Sequence, residues 1–324
     1  MDLTIIIVNW NGGELLRDCL ASIAAHREGL DAQVIVVDNN SSDGSREMAE
    51  REFPQFTVIN SGSNLGFGKA NNLPRPRVKS DLVLFLNPDT VLLKNSLVSM
   101  VQYLRAHEEI GALGCKMRSP NGEVHELGLQ YFLSPWTEFA NLTFVSRQTR
   151  RWLSKHPPLQ DPQQSGYVTK LYGGCLLCRK EVLDAVGWFD ERYFMYAEDV
   201  DLCRTILDRG WKLYYLSTAE IIHLAGSASK KAPSGFALLM KQESAVKFMR
   251  KYHGPTGALL YRLAAVVGST FRLTALAVLR VLALVSSKAR QRDFPAAFSK
   301  QRTLFLWSLG LRKPMVAGQS RVVS

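Results

Sequence analysis

Runs of β-branched and aliphatic residues at 3–8, 34–37, 56–59, 82–86 and 110–115 alternate with stretches of helical period through the first third of the chain. Nearly all of these runs are apolar at every position, not at every second one, so each strand is expected to be covered on both faces. That is the pattern of a parallel sheet wrapped by helices. The first helix carries its apolar face on Leu15, Leu16, Cys19, Leu20 and Ile23, and Ser42-Asp43-Gly44 marks the turn before the next. From about residue 116 to 168 the alternation fades into Pro, Gly, aromatic and basic residues, including Trp136, Trp152 and the Pro157-Pro158 step. This part is expected to be loop-rich and to belong in part to an acceptor site. Periodicity returns as a strand at 171–177, a helix through Val182, a helix at 198–209 stopped by Gly210, and strands at 212–216 and 220–224.

After about Ala225 the pattern changes in kind. A Gly/Ser/Ala/Lys/Pro stretch leads into a basic helical segment at 241–252 and then into the strongly apolar residues 259–285, interrupted by Arg262, Arg272 and Arg280. No run of the roughly 18 uncharged apolar residues of a clean membrane span is left. At about 100° per residue Arg262 and Arg280 point the same way, with Arg272 roughly 80° to one side. An arginine at the hydrocarbon centre costs roughly 2.5–3.5 kcal/mol, so a helix lying in the headgroup region with its cations turned outward is expected. We therefore divide the chain into a globular part at 1–225 and a basic, apolar helical tail at 226–324.

Charge sharpens that division. The net charge is +11 over 324 residues, yet residues 1–225 carry 23 Lys/Arg against 27 Asp/Glu, a balance of −4. Residues 226–324 carry 17 against two, a balance of +15. The anionic partner of such a tail is expected to be a membrane surface and not nucleic acid. Five cysteines, an odd number with no secretory leader ahead of them, fit a reducing, cytoplasmic setting. Cys175 and Cys178 have the spacing of a zinc pair, but no second pair accompanies them, and both are expected to be small core residues.

Open sheets of this kind bind ligands beyond the carboxyl ends of their strands. Four polar clusters fall there: Asn9-Trp10-Asn11-Gly12, Asp38 through Gly44, Asn64-Leu65-Gly66-Phe67-Gly68-Lys69-Ala70-Asn71-Asn72, and Asn87-Pro88-Asp89-Thr90. Asp38 can accept from a nucleobase N–H or a ribose hydroxyl, or merely cap a turn. Asp89 can hold a hard divalent cation against a diphosphate. The third cluster has no third glycine, so neither the dinucleotide fingerprint nor a phosphate-binding P-loop is present.

Together with Gly173-Gly174, Trp188-Phe189-Asp190-Glu191, Glu198-Asp199-Val200-Asp201-Leu202 and His223, these clusters resemble glycosyltransferase family 2, and within it the rhamnosyltransferases of bacterial surface polysaccharides. The resemblance covers about residues 3–225. It implies a nucleotide-diphospho-sugar transferase (GT-A type) fold, α/β with a mainly parallel central sheet, and an inverting, Mg²⁺- or Mn²⁺-dependent transfer of one sugar from a nucleotide-sugar donor. The sugar is rhamnose from dTDP-rhamnose first, with a UDP-hexose or galactofuranose donor as the alternative, and the acceptor is a hydroxyl of a glycan or lipid-linked molecule. It further implies donor contacts at Asn9, Asp38, Asn64, Gly66, Lys69, Asn72 and Asn87, metal ligation at Asp89 and His223, and acceptor contacts at Gly174, Trp188 and Asp201. Asp199 is expected to be the general base, with Glu198 beside it in the catalytic pair.

The chain departs from the family pattern in two places. The metal motif reads Asn87-Pro88-Asp89, with an amide where relatives often have a first carboxylate, and Leu73-Pro74-Arg75-Pro76-Arg77 puts two prolines where relatives continue helically, which is expected to make a loop. Gln148-Thr149-Arg150-Arg151-Trp152 spells the Q-x-x-R-W motif of processive synthases, but it precedes Asp199 in the chain, so it is read as a chance match and single-sugar transfer is expected. A silent membrane scaffold is the competing class, and the presence of Asp38, Asp89 and Asp199 speaks against it. A dinucleotide oxidoreductase lacks its glycines.

Overall fold

The computed structural model describes residues 1–27, 29–125, 132, 134–135, 161–224, 235–282 and 294–313. The chain divides into two compact units, one of residues 1–132 and 158–231, the other of residues 133–157 and 232–324.

In the first unit the strands β1 (Leu3–Asn9), β2 (Ala32–Asp38), β3 (Thr57–Asn60) and β4 (Leu82–Leu86) form one parallel half of a sheet in the order β3-β2-β1-β4. The sheet continues through β8 (Cys175–Arg179), β6 (Ile110–Arg118), β9 (Lys212–His223) and β5 (Thr90–Leu92), with β7 (Gly166–Val168) against β9. In this second half β6 and β9 are parallel, while β8 runs antiparallel to both β4 and β6 and β5 antiparallel to β9.

The all-apolar strands follow directly from two covered faces. Leu3, Ile5 and Ile7, with Val34, Val36, Leu82, Leu84 and Leu86, point into one core together with helices α1 (Glu14–His26) and α4 (Ser96–Ala106). The intervening Ile6, Val8, Ile35, Val37, Val83 and Phe85 point into a second core, closed by α5 (Lys180–Val186) and α6 (Glu198–Asp208). The period of two along a strand thus feeds two separate apolar layers. Two further helices, α2 (Ser45–Glu52) and α3 (Phe67–Asn72), follow the carboxyl ends of β2 and β3.

Several expected boundaries shift. The strand expected at 171–177 begins only at Cys175: Leu171 packs into the second core and residues 172–174 line a cavity. The strands expected at 212–216 and 220–224 are one strand, β9, carried past an irregularity in its pairing with β6 at Cys115/Lys116. The two-proline segment is not a plain loop: Arg75–Arg77 form a turn of 3₁₀ helix, with Pro76 inside it and the Arg77 N–H bonded to the Pro74 carbonyl. All five cysteines are free and buried, Cys175 and Cys178 on opposite faces of β8, which answers the zinc spacing with two core residues.

The second unit is helical. Helix α7 (Phe236–Leu282) is broken at Gly254 (φ 68°), where Pro255 restarts it, and α8 (Phe294–Ser308) packs on it through Tyr261 and Trp307. Residues 236–282 are long and apolar enough to cross a membrane by length and composition. Leu260, Leu263, Val267, Phe271, Val278, Val281 and Leu282 are exposed on one side of the part after the break. The Q-x-x-R-W segment, Trp136, Trp152 and the Pro157-Pro158 step lie outside the described residues.

Candidate functional site

The carboxyl ends of β1, β2 and β4 open on a cavity of about 410 Å³ whose far wall is built from residues 172–174, 195–199 and His223. The near wall is a hydrogen-bonded shelf. Asn9 and Asp38 are paired across β1 and β2, and the Asn9 amide donates to the Asp38 carboxylate (2.9 Å) and to Ser45 Oγ (2.8 Å). The other Asp38 oxygen accepts from the Ser41 N–H (3.0 Å). Both side chains are buried, and Trp10, Asn11 and Asn39 line the cavity in front of them. Asn9 and Asp38, expected to contact the donor, do not themselves line the cavity. These residues fix the turns that carry Trp10, Asn11 and Asn39.

Asn64 and Gly66 do reach the cavity. Asn64 Oδ1 accepts from the Asn39 amide (3.0 Å) and the Gly66 N–H (3.1 Å). Gly66 has φ 81° and ψ −174°, a region open in practice only to glycine. A Cβ there would sit 2.1 Å from the Phe194 carbonyl oxygen, which accepts the Phe67 N–H at 2.8 Å. The third cluster is thus stitched to the loop that leads into Glu198-Asp199. Lys69 and Asn72 stand outside the cavity lining. Lys69 lies 3.9 Å from Glu191, and Asn72 exchanges two hydrogen bonds with the backbone of Phe189 (2.8 and 3.1 Å), holding the 189–191 turn.

At the floor, Asp89 and His223 face each other on neighbouring segments, with His223 Nε2 3.3 Å from Asp89 Oδ1. The Leu224 N–H bonded to the Asp89 carbonyl (2.9 Å) fixes the pair. Asn87 comes close as well. Gly174 lies between them: a Cβ there would be in van der Waals contact with the Asn87 amide nitrogen (3.4 Å) and the His223 ring (3.7 Å), and Asn87, Asp89 and His223 all line the cavity. One carboxylate, one imidazole and one amide oxygen form a hard-to-borderline donor set suited to Mg²⁺ or Mn²⁺. His223 Nδ1 is buried without a hydrogen-bond partner among the described residues, as expected of a ring poised by its other nitrogen. No group of three His, Cys, Asp or Glu side chains placed to hold a metal occurs among the described residues.

Opposite stands the acidic start of α6. Asp199 accepts from the Gly173 N–H (3.1 Å) through Oδ2 and from the Val200 N–H (2.8 Å) through Oδ1, which aims the carboxyl at the cavity. Burial raises its proton affinity above the usual range, and the two N–H bonds oppose that rise. Glu198 is buried, one of its oxygens has no partner among the described residues, and burial followed by the neighbouring Asp199 charge pushes it up to about 8. Tyr196 and Ala197 both hold left-handed backbone (φ 67° and 66°) just ahead of this pair. Strained positions of this kind gather at working sites.

The acceptor set divides. Gly174 lines the cavity. Trp188, expected to touch an acceptor, is instead a core residue. It is 3% exposed, packs edge-on to Phe85 and donates its indole N–H to Asp184 (2.8 Å). Asp201 is also internal, accepting from the Tyr193 hydroxyl (3.1 Å). Three wall residues, His125, Tyr172 and Met195, carry no motif. For His125 a signal existed: Asn121-Gly122 after β6 is a hairpin turn, and it returns His125 N–H to the Met117 carbonyl (2.9 Å).

A model of the glycosyltransferase like family 2 matches residues 2–245. N-acetylglucosaminyl-diphospho-decaprenol L-rhamnosyltransferase of Mycobacterium tuberculosis is 30% identical over 253 residues, covering 72% of this chain and 79% of that one. Rhamnosyltransferase WbbL of Escherichia coli is 27% identical over 228 residues, 68% of this chain and 83% of that one. In fold the chain is similar to mannosyltransferase PcManGT from Pyrobaculum calidifontis, solved with GDP-Man and Mn²⁺. The TM-score is 0.58 at 17% identity, covering 95% of this chain and 86% of that one.

Proposed function

The chain belongs to the glycosyltransferase like family 2, and on that premise we propose that it is an inverting, metal-dependent rhamnosyltransferase. It moves one sugar from dTDP-rhamnose to a hydroxyl of a lipid-linked glycan at the cytoplasmic face of the membrane. The observation that carries the reading is the facing of two chemically different walls across one cavity: the Asp89–His223 pair beside Asn87, and the Asp199 carboxylate held by Gly173.

The residues divide the work accordingly. Trp10, Asn11, Asn39 and Asn64 form the shelf for the nucleoside. Asp89 and His223, with the Asn87 amide, would hold Mg²⁺ or Mn²⁺ beside the donor diphosphate, and the cation would supply charge neutralisation for the leaving group. Asp199 takes the proton of the acceptor hydroxyl as its oxygen bonds to the sugar carbon and the bond to the diphosphate oxygen breaks on the opposite face, which inverts the centre. Glu198, held neutral beside it, donates a hydrogen bond into the cavity and leaves Asp199 as the group that ionises first. The mycobacterial relative, whose name specifies a diphospho-decaprenol acceptor, supports a lipid-linked acceptor here. We assign catalysis to residues 1–225 and peripheral membrane docking to the basic, apolar tail at 226–324, bounds that differ from those of the compact units, where residues 133–157 fall with 232–324.

Release of nucleoside diphosphate from dTDP-rhamnose, screened beside UDP-hexoses, tests the assignment. Turnover with dTDP-rhamnose that stops with EDTA and returns with Mn²⁺ is expected. Turnover that is indifferent to EDTA would remove the metal assignment, and release from no nucleotide sugar would remove the enzyme.

A further inference from the structure

The break in α7 encloses a second cavity, of about 390 Å³, unconnected with the catalytic chemistry. Lys247 and Arg250 from before the break, Arg262 from after it and Lys313 from beyond α8 line it. Its one acidic lining residue, Glu243, is already engaged: its Oε1 accepts the Trp307 indole N–H at 2.7 Å and lies 3.7 Å from the Arg262 guanidinium. Arg262 is further fixed over the Trp307 ring at 5.0 Å. Four cationic side chains and one carboxylate line one concave space, and the exposed Arg250 and Lys313 give it a positive rim that suits an anion. Pro255, the first residue of the restarted helix, lines the same space, so the positive end of that helix's dipole adds to the field.

We propose that this elbow cavity seats the phosphate of an anionic phospholipid headgroup. Charge alone would also admit a free phosphate, but the cavity does not stand alone. Leu259, 57% exposed, lines it and leads directly into the exposed stripe of Leu260, Leu263, Val267 and Phe271. At about 100° per residue, Arg262 and Arg280 project from the opposite side of that stripe. Leu259 lies between the cavity and the stripe on the helix surface, so a headgroup held at the elbow passes its acyl chains over Leu259 to the apolar face, and one lipid satisfies both. Seventeen Lys/Arg against two Asp/Glu in the tail supply the complementary charge that draws this surface to a bilayer.

The inference rests on the membrane docking proposed above, and vesicle flotation separates the two. Full-length protein is floated with phosphatidylcholine vesicles with and without phosphatidylglycerol. Arg250→Gln/Lys313→Gln is then compared with Lys300→Gln/Arg302→Gln. All four side chains are exposed, and both variants lose two charges. The elbow variant is expected to bind phosphatidylglycerol vesicles about fivefold or more weakly than the control, because it loses directed bonds to phosphate as well as general attraction. Equal weakening of the two variants overturns the elbow site and leaves docking intact. No flotation of the wild type overturns docking itself. Calorimetric binding of inorganic phosphate that is lost in the elbow variant, with vesicle binding equal in both, reassigns the cavity to a free anion and refutes the lipid.

Discussion

Substituting Gly66 by alanine tests how the donor side and the catalytic carboxylates are joined. The new methyl group would lie 2.1 Å from the Phe194 carbonyl oxygen and 2.9 Å from its carbon, where separations under 3.0 Å are essentially never seen, so roughly 1 Å of backbone movement has to be found. Left in place, the alanine also occupies a glycine-only backbone region at a cost of about 1–3 kcal/mol. Moving Phe194 away surrenders the hydrogen bond from Phe67 N–H, another roughly 1–3 kcal/mol if the donor is left buried. The sum, about 2–6 kcal/mol, corresponds to a fall in Tm on the order of 10 °C for a domain of this size. Phe194 lies four residues ahead of Glu198, so the surviving folded enzyme should turn over more slowly even at saturating donor. Thermal melting and a kcat measurement on Gly66→Ala decide the matter. A variant that melts within about 1 °C of wild type and keeps its kcat would refute the claim that this contact is rigid.

Asp89→Ala should abolish the Mn²⁺-dependent part of nucleoside diphosphate binding in calorimetry, since the carboxylate facing His223 is gone; an unchanged metal-dependent affinity would end its assignment as a ligand. Asp199→Asn should retain donor affinity and lose about 10²–10⁴-fold in kcat, the usual cost of removing a positioned base, and more than half of wild-type kcat would require another base. Glu198→Gln has a pH signature: the folded state keeps a proton on Glu198 up to about pH 8 that the unfolded chain releases near 4.5. Glu198 therefore costs stability progressively as pH rises through that window, and the glutamine variant should gain Tm over wild type more at pH 8 than at pH 5. A pH-independent Tm difference would contradict the buried neutral acid.

The sheet was legible wherever a strand is apolar on both faces, as in β1, β2 and β4, because only a doubly covered strand needs that composition. It was less legible at β9, where Ser217-Thr218 read as a break, although an irregular register carries one strand through. In the site, position at a strand end pointed to the Asn87–Asp89 turn and the family resemblance pointed to His223 and Asp199, and all four line one cavity. Neither could distinguish side chains that face a cavity from those that hold it up. Asn9, Asp38, Asn72 and Asp201 spend their polar atoms on neighbouring protein groups, and Trp188 faces inward, against Phe85 and with its indole N–H on Asp184. The far wall at Tyr172 and Met195 depends on loop paths that no local period encodes.

The place of β8 in the sheet bears on how the polypeptide acquires its structure during synthesis. This strand separates β4 from β6, yet it follows β6 in sequence by more than fifty residues, so the catalytic sheet cannot close until Arg179 has left the ribosome. Until then β4, with five buried apolar residues, presents an unpaired edge to solvent. Long-range pairings of this sort slow folding and prolong exposure of such edges. Nascent chains stalled before Cys175 should be held by chaperones or aggregate, whereas chains released past His223 have every strand partner they need.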